Sequence, residues 1–208
     1  QQISYGLNPY HHTVSEIANW WDQPLLANIN SIWSYNPAPY GPLYMLIYAG
    51  IAFLSMGNFY IAMFLFKLFN LGIFACLLLL MVRILNDKEI DKEYFEKKFN
   101  DARQIFSYKK IIYSLIALNP FIMVEVLWNG HNDILMGFLI LLSLYLCFKN
   151  QVNLALITLT CSILSKYLSV AILPLMLIYF VSRGAKNFPW IGSLISSGLI
   201  YLAWIYYD

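Results

Sequence analysis

Apolar positions run almost unbroken from Gly41 to Leu85, resume near Lys110, and return over 134–148, 152–182 and 188–207. A helix crossing a bilayer needs roughly 20 such residues. The first stretch is long enough for two crossings and is interrupted at Ser55, Gly57 and Asn58, residue types that close helices. Two full crossings would set the lysine-rich segment 86–110 on the same side as residues 1–40, which contain no Lys or Arg. The positive-inside rule disfavours that arrangement. The pattern therefore predicts a short helix over 41–56 lying in or dipping into the outer interface, followed by one span over 58–85 that ends at Arg83.

The charged segment holds Lys88, Lys92, Lys97, Lys98, Arg103, Lys109 and Lys110 and falls on the cytoplasmic side. Its run DKEIDKEYFEKKFNDARQ mixes signs at helical spacing and reads as a solvated surface helix. A span from near Lys110 then leads outward to Asn119-Pro120, and an outer loop follows with Trp128 and GHND. The span 134–148 returns to Lys149. Residues 152–182 are too few for two crossings yet are bounded by Lys149 and Arg183, which predicts a hairpin of short helices with its apex at SKYLS, 165–169. A last span covers 188–207. This topology leaves only Lys67 and Lys166 among the cations away from the cytoplasm, and puts Trp20, Trp21, Trp33, Trp128 and Trp204 at the outer face and Trp190 at the inner one.

The expected fold class is all-α, a polytopic membrane helical bundle. Its two parts are an extracytoplasmic first loop with interfacial helices over 1–57 and a transmembrane domain over 58–208 with the cytoplasmic loop 86–110.

Composition strengthens the membrane reading. The chain of 208 residues is 60% hydrophobic and 12% charged, with a mean hydropathy of +0.61, beyond ordinary soluble domains. A net charge of +2 gives nucleic-acid binding no electrostatic support. Cys76, Cys147 and Cys161 lie in apolar runs without a CxxC pair, so neither a disulfide framework nor a zinc site is indicated. The chain opens on Gln1 with no targeting segment before its polar stretch. It is expected to be a fragment whose natural N-terminus lies further upstream.

Ionisable side chains at membrane depth cost at least about 2.5 kcal/mol each at the bilayer centre, which makes them functional candidates. Lys67, Glu125, Asp133 and Lys166 qualify. Asp133, beside His131 and Asn132, can bind a metal, orient a sugar hydroxyl or act as a base; equally, Asn132 or Asp133 can cap the helix that follows. Lys166 at the hairpin apex suits an anionic head group, with snorkelling as the alternative. For Lys67, snorkelling or helix pairing is expected. PAPYGPLY, 37–44, combines three prolines with Gly41 and makes a rigid aromatic edge around Tyr40, or simply a helix start. His11 and His12 show no metal-ligand spacing with an acidic partner.

GLNPY (6–10), PAPYGPLY (37–44), NPF with WNGHNDILM (119–121 and 128–136) and SILSKYLSVAILPL (162–175) together resemble the polyprenol-phosphate-mannose-dependent mannosyltransferases of the GT-C superfamily. The resemblance implies a multi-pass membrane enzyme, in a cell membrane or the endoplasmic reticulum, with a GT-C-like core and an extracytoplasmic or lumenal active site. Its donor would be a polyprenyl-phosphate-linked sugar, usually mannose, and its acceptor a glycan, lipid or protein hydroxyl. It further implies a catalytic Asp upstream of GLNPY, which neither Asp22 nor Glu16 matches, so the fragment alone is expected to be inactive.

On this reading Asp133, His131 and Glu125 carry catalysis, Lys166, Tyr40 and Tyr167 meet the donor phosphate and its lipid, and Asn132 and Tyr10 contact substrate. A divalent metal ion is left open, and membrane lipid is a further partner. Two other classes stay open as well: a transporter lined by GHND and Lys166, and a non-catalytic assembly subunit.

Overall fold

The computed structural model describes residues 8–17, 19, 22, 34–99, 101–129, 131, 133–182 and 189–207. Among these the chain is all-α. Helix α1, Pro42–Leu54, starts with a proline at its first position, where a missing N–H costs nothing. Helix α2, Phe59–Leu85, follows a turn in which Met56 and Gly57 both take left-handed backbone angles. The Asn58 side chain caps α2 by accepting from the Tyr60 and Ile61 amides at 2.9 and 3.2 Å. Among the described residues, α2 is the one helix long and apolar enough to cross a membrane, with a mean hydropathy of 2.4 over its most apolar stretch. Only 33% of that stretch is buried, unlike the core helix of a soluble protein.

The charged connector differs from the single surface helix expected of it. Lys88–Ile90 and a π-turn, Asp91–Phe95, come first, and α3, Ala102–Ala117, starts anew. The break has a local cause: the Asp101 carboxylate accepts from the Arg103 amide at 2.9 Å and nucleates a fresh N-terminus. Helix α3 thus reaches well into the segment read as a loop. Phe95 is buried against Tyr108, and Lys109 forms an ion pair with Asp91, so the two pieces fold back on each other.

Asn119 caps the turn Pro120–Met123, which runs into a second π-turn, Val124–Trp128. Helix α4, Asp133–Phe148, and helix α5, Val152–Ser165, form a hairpin. Asn150 closes α4 in the left-handed region that asparagine tolerates, while the Gln151 amide reaches back to the Leu146 carbonyl at 2.8 Å. A 3-10 turn, Tyr167–Ala171, leads into α6, Ile172–Ser182, and α7, Trp190–Tyr207, ends the described chain. Apart from α2, the apolar helices are shorter than it.

Helix α5 is the central element, with α4 and α7 against it and α1 at its C-terminal end. Cys147, Ala155, Leu159, Met176 and Phe180 form its core cluster, and a second cluster of Phe74, Val126 and Ile134 joins α2 to α4. Small hydroxyl residues tie the helices together, as in apolar surroundings where side-chain hydrogen bonds and close backbone approach replace hydrophobic driving force. Thr160 Oγ1 and Ser196 Oγ, for example, lie 2.8 Å apart between α5 and α7.

Candidate functional site

Two serine bonds set the register of the α4–α5 hairpin. Ser143 Oγ donates to the Ala155 carbonyl at 2.7 Å, and Ser162 Oγ donates to the Met136 carbonyl at 3.2 Å. Both belong to one antiparallel register. Continued to the open end of the hairpin, that register sets Asp133 beside Lys166, and there Lys166 Nζ donates to Asp133 Oδ1 in an ion pair. Asp133 is the first residue of α4, where the helix dipole favours a carboxylate. Lys166 has left the helical region, with φ −154° and ψ 121°, and so terminates α5. The two side chains are 34% and 51% exposed, open enough for a ligand to reach.

The proline-rich segment docks onto the same helix end. The Gly41 amide donates to the Ser165 carbonyl at 3.1 Å, and no side chain fits at Gly41 against the Leu164 carbonyl. The Ala38 amide donates to the Pro9 carbonyl at 2.9 Å, which fastens the end of GLNPY to PAPYGPLY. Pro9 is fully buried there, and the Tyr10 hydroxyl is shielded from solvent. Burial pushes the Tyr40 hydroxyl above the usual tyrosine range, while the Lys166 charge draws it down and the Asp133 charge pushes it further up. Tyr40 therefore lies within electrostatic reach of both members of the ion pair. Three of the four motifs meet in this way, and the fourth supplies Asp133.

From Tyr40 an aromatic ladder leads away from the pair. Tyr40, Tyr44 and Tyr48 share one face at four-residue spacing, with Tyr44 and Tyr48 edge to face at 4.7 Å. Tyr48 in turn stacks on Phe66 of α2 at 5.0 Å. Sequence reasoning chose Tyr40 and missed Tyr44 and Tyr48. Their spacing was the available signal.

GHND closes on the π-turn before it. His131 Nε2 lies 3.0 Å from Glu125 Oε2, and the His131 amide donates to the Glu125 carbonyl at 2.9 Å. Asp133 and His131, both expected to carry catalysis, have different partners: Lys166 and Glu125. Tyr167 begins the 3-10 turn after Lys166 and is exposed. Asn132 lies outside the described residues. Among those described, no three His, Cys, Asp or Glu side chains converge as a metal set would require.

Two further expectations resolve. Lys67 sits over the Trp128 ring, 5.3 Å from its centre, so it ties α2 to the π-turn by a cation–π contact. His12 does have an acidic partner, contrary to the sequence reading. Its Nδ1 lies 2.7 Å from Glu16 Oε2, because the Thr13 amide draws the Glu16 carboxylate back in a capping box. Held by the Thr13 amide and the His12 ring, the Glu16 carboxyl lies below the ordinary range. These contacts occupy Glu16 structurally.

Residues 1–95 and 102–182 match the N-terminal domain of the alpha-(1->6)-mannopyranosyltransferase family, MptA_B. The chain belongs to this family. Its membership makes the protein an enzyme of mannosyl transfer. The matched segments of this mannosyltransferase contain every candidate residue, from Tyr10 to Tyr167, and the unmatched 96–101 coincides with the break before α3. No curated protein and no solved structure matches the chain.

Proposed function

We propose that this mannosyltransferase domain belongs to the GT-C superfamily and is a multi-pass membrane protein with its active site on the extracytoplasmic or lumenal face. It takes mannose from a polyprenyl-phosphate donor. The alpha-(1->6) of the family's description supports a bond from C1 of the donor sugar to O6 of an acceptor sugar, which among glycan, lipid and protein acceptors favours a glycan or glycolipid with a primary hydroxyl.

The observation that carries this reading is the Lys166–Asp133 pair, set where PAPYGPLY, GHND and SKY converge. In the reaction the acceptor oxygen attacks C1, the bond from C1 to the phosphate oxygen breaks, and its electron pair leaves on the polyprenyl phosphate. Lys166 faces that developing charge. Asp133 holds the ammonium in place before the donor arrives. Glu125, steadied by His131, takes the proton that the acceptor hydroxyl loses. Tyr40 borders the phosphate, and the Tyr44–Tyr48–Phe66 ladder lies alongside the first isoprenoid units. Tyr10 and Asn132 contact the sugar.

The test uses the full-length protein in membrane vesicles with labelled polyprenyl-phosphate mannose. Removing a positioned charge stabiliser slows an enzyme by on the order of 10² to 10³. Lys166→Ala is expected to lose activity on that scale, and Asp133→Asn to lose it in part. Native rates in both variants overturn the assignment, and uptake of the donor into vesicles without transfer supports a transporter instead.

A further inference from the structure

The opposite end of α2 carries a second polar assembly that sugar transfer does not use. Asp87, just past α2, accepts from Tyr145 Oη at 2.9 Å and from Lys149 Nζ at 3.0 Å, and Lys149 also reaches Glu89 at 2.7 Å. These contacts surround an open cleft of about 840 Å³. One wall is apolar: Leu79 and Val82 line it and remain 69% and 41% exposed, with nothing in the described chain covering them. Arg83 and Lys88 line it too, and among the described residues neither forms an ion pair.

Charge arithmetic then decides what the cleft takes. Asp87 and Glu89 are both held by Lys149, and with Arg83 and Lys88 the lining carries three cations against two carboxylates, a net charge of +1, with neither Arg83 nor Lys88 in an ion pair among the described residues. A guanidinium grips a phosphate through two parallel hydrogen bonds. Arg83 lies in the last turn of a membrane-length helix, directly after exposed apolar side chains, where a phospholipid places its phosphate below its acyl chains. A free anion would have no use for the Leu79–Val82 wall.

We propose that this cleft is a binding site for an anionic phospholipid of the adjacent leaflet, with Arg83 and Lys88 on the phosphate and Leu79 and Val82 along the proximal acyl chain. The site is distinct from the Lys166–Asp133 end, and its occupancy is read without any sugar. Failure of the transfer assay therefore leaves it standing.

Full-length protein is reconstituted in phosphatidylcholine nanodiscs with and without phosphatidylglycerol, extracted in mild detergent, and weighed by native mass spectrometry. Retained phosphatidylglycerol is expected. Each basic residue near a charged surface contributes about 1 kcal/mol, so Arg83→Gln with Lys88→Gln is expected to weaken phosphatidylglycerol binding about thirtyfold. The exchange Arg83→Lys with Lys88→Arg should keep most of the binding and shows that the fold tolerates changes there. Lys92→Gln with Lys97→Gln, elsewhere on the connector, should leave it unchanged. Equal retention of phosphatidylcholine, displacement of phosphatidylglycerol by inorganic phosphate, an unaltered Arg83/Lys88 double variant, or an equal loss from Lys92 and Lys97 overturns the proposal.

Discussion

Gly41 lies so close to Leu164 that a β-carbon on it would stand 2.1 Å from the Leu164 carbonyl oxygen. That oxygen belongs to the last turn of α5, immediately before Lys166, so the contact presses the proline-rich segment against the residue that holds Asp133. Gly41→Ala cannot be absorbed by a flexible side chain, because backbone is what it meets. Overpacking of this kind costs typically about 1 to 3 kcal/mol. The variant is expected to melt at a lower temperature in detergent and to lose mannosyl transfer. Gly50, with nothing within 4 Å, is the control, and Gly50→Ala should be neutral or stabilising by up to about 1 kcal/mol.

The Lys166–Asp133 pair is predicted to matter far more to activity than to stability. With both side chains partly exposed, a pair of this kind contributes about 0 to 1 kcal/mol to folding. A double-mutant cycle with Lys166→Ala and Asp133→Asn, read by thermal unfolding, should give a coupling energy within that range. Activity in Lys166→Ala should meanwhile fall by on the order of 10² or more. A coupling of several kcal/mol with transfer intact would make the pair a strut.

Acid should loosen the Asp87 end of α2. The Lys149 ammonium, helped by the Tyr145 hydroxyl and the Glu89 amide, holds the Asp87 carboxyl below the ordinary aspartate range. A carboxyl depressed in the folded state adds stability that is present above the unfolded pKa, about 3.9, and disappears as pH falls through the lower folded value. Melting temperature measured from about pH 6 downward should therefore drop less steeply below about pH 4 in Asp87→Asn than in the parent. Parallel curves for the two would remove Asp87 from the acid response.

Asn153 caps α7 from another helix. Its Oδ1 accepts from the Gly192 amide at 2.8 Å, and a β-carbon on Gly192 would come within 2.8 Å of the Asn153 backbone. Asn153→Ala is expected to cost about 1 kcal/mol, as for other lost helix caps. Gly192→Ala should cost more, since it forces α7 away from α5. Hydrogen exchange across 190–207 would register both, with faster exchange in the glycine variant.

Much of this arrangement was legible in the sequence because its boundaries are chemical. Asn58, Asn119 with Pro120, and Lys166 each mark an element boundary at a polar or helix-breaking residue inside apolar sequence, and the helices start and stop there. Candidate residues were legible for a similar reason: a charge in an apolar run is conspicuous. Who meets whom was not. Asp133 and Lys166 are 33 positions apart, and their pairing depends on a register set by Ser143 and Ser162, which look like filler in an apolar helix. The connector misled because mixed charges at helical spacing say nothing about where a helix restarts; Asp101 decides that through one hydrogen bond. Metal-ligand spacing does not reveal the partner of His12; the capping box that bends Glu16 toward it is a helix-start device.

Lys67 against Trp128 and the Asp87–Lys149 link bracket the part of α2 that follows Lys67. The stretch from Lys67 to Leu85 rises about 27 Å at about 1.5 Å per residue, close to the thickness of a hydrocarbon slab. Both ends of the gauge are fastened to other parts of the same chain, so α2 cannot slide to suit its surroundings. In a thinner bilayer it must lean, and every element bolted to it, the α4–α5 hairpin included, leans with it.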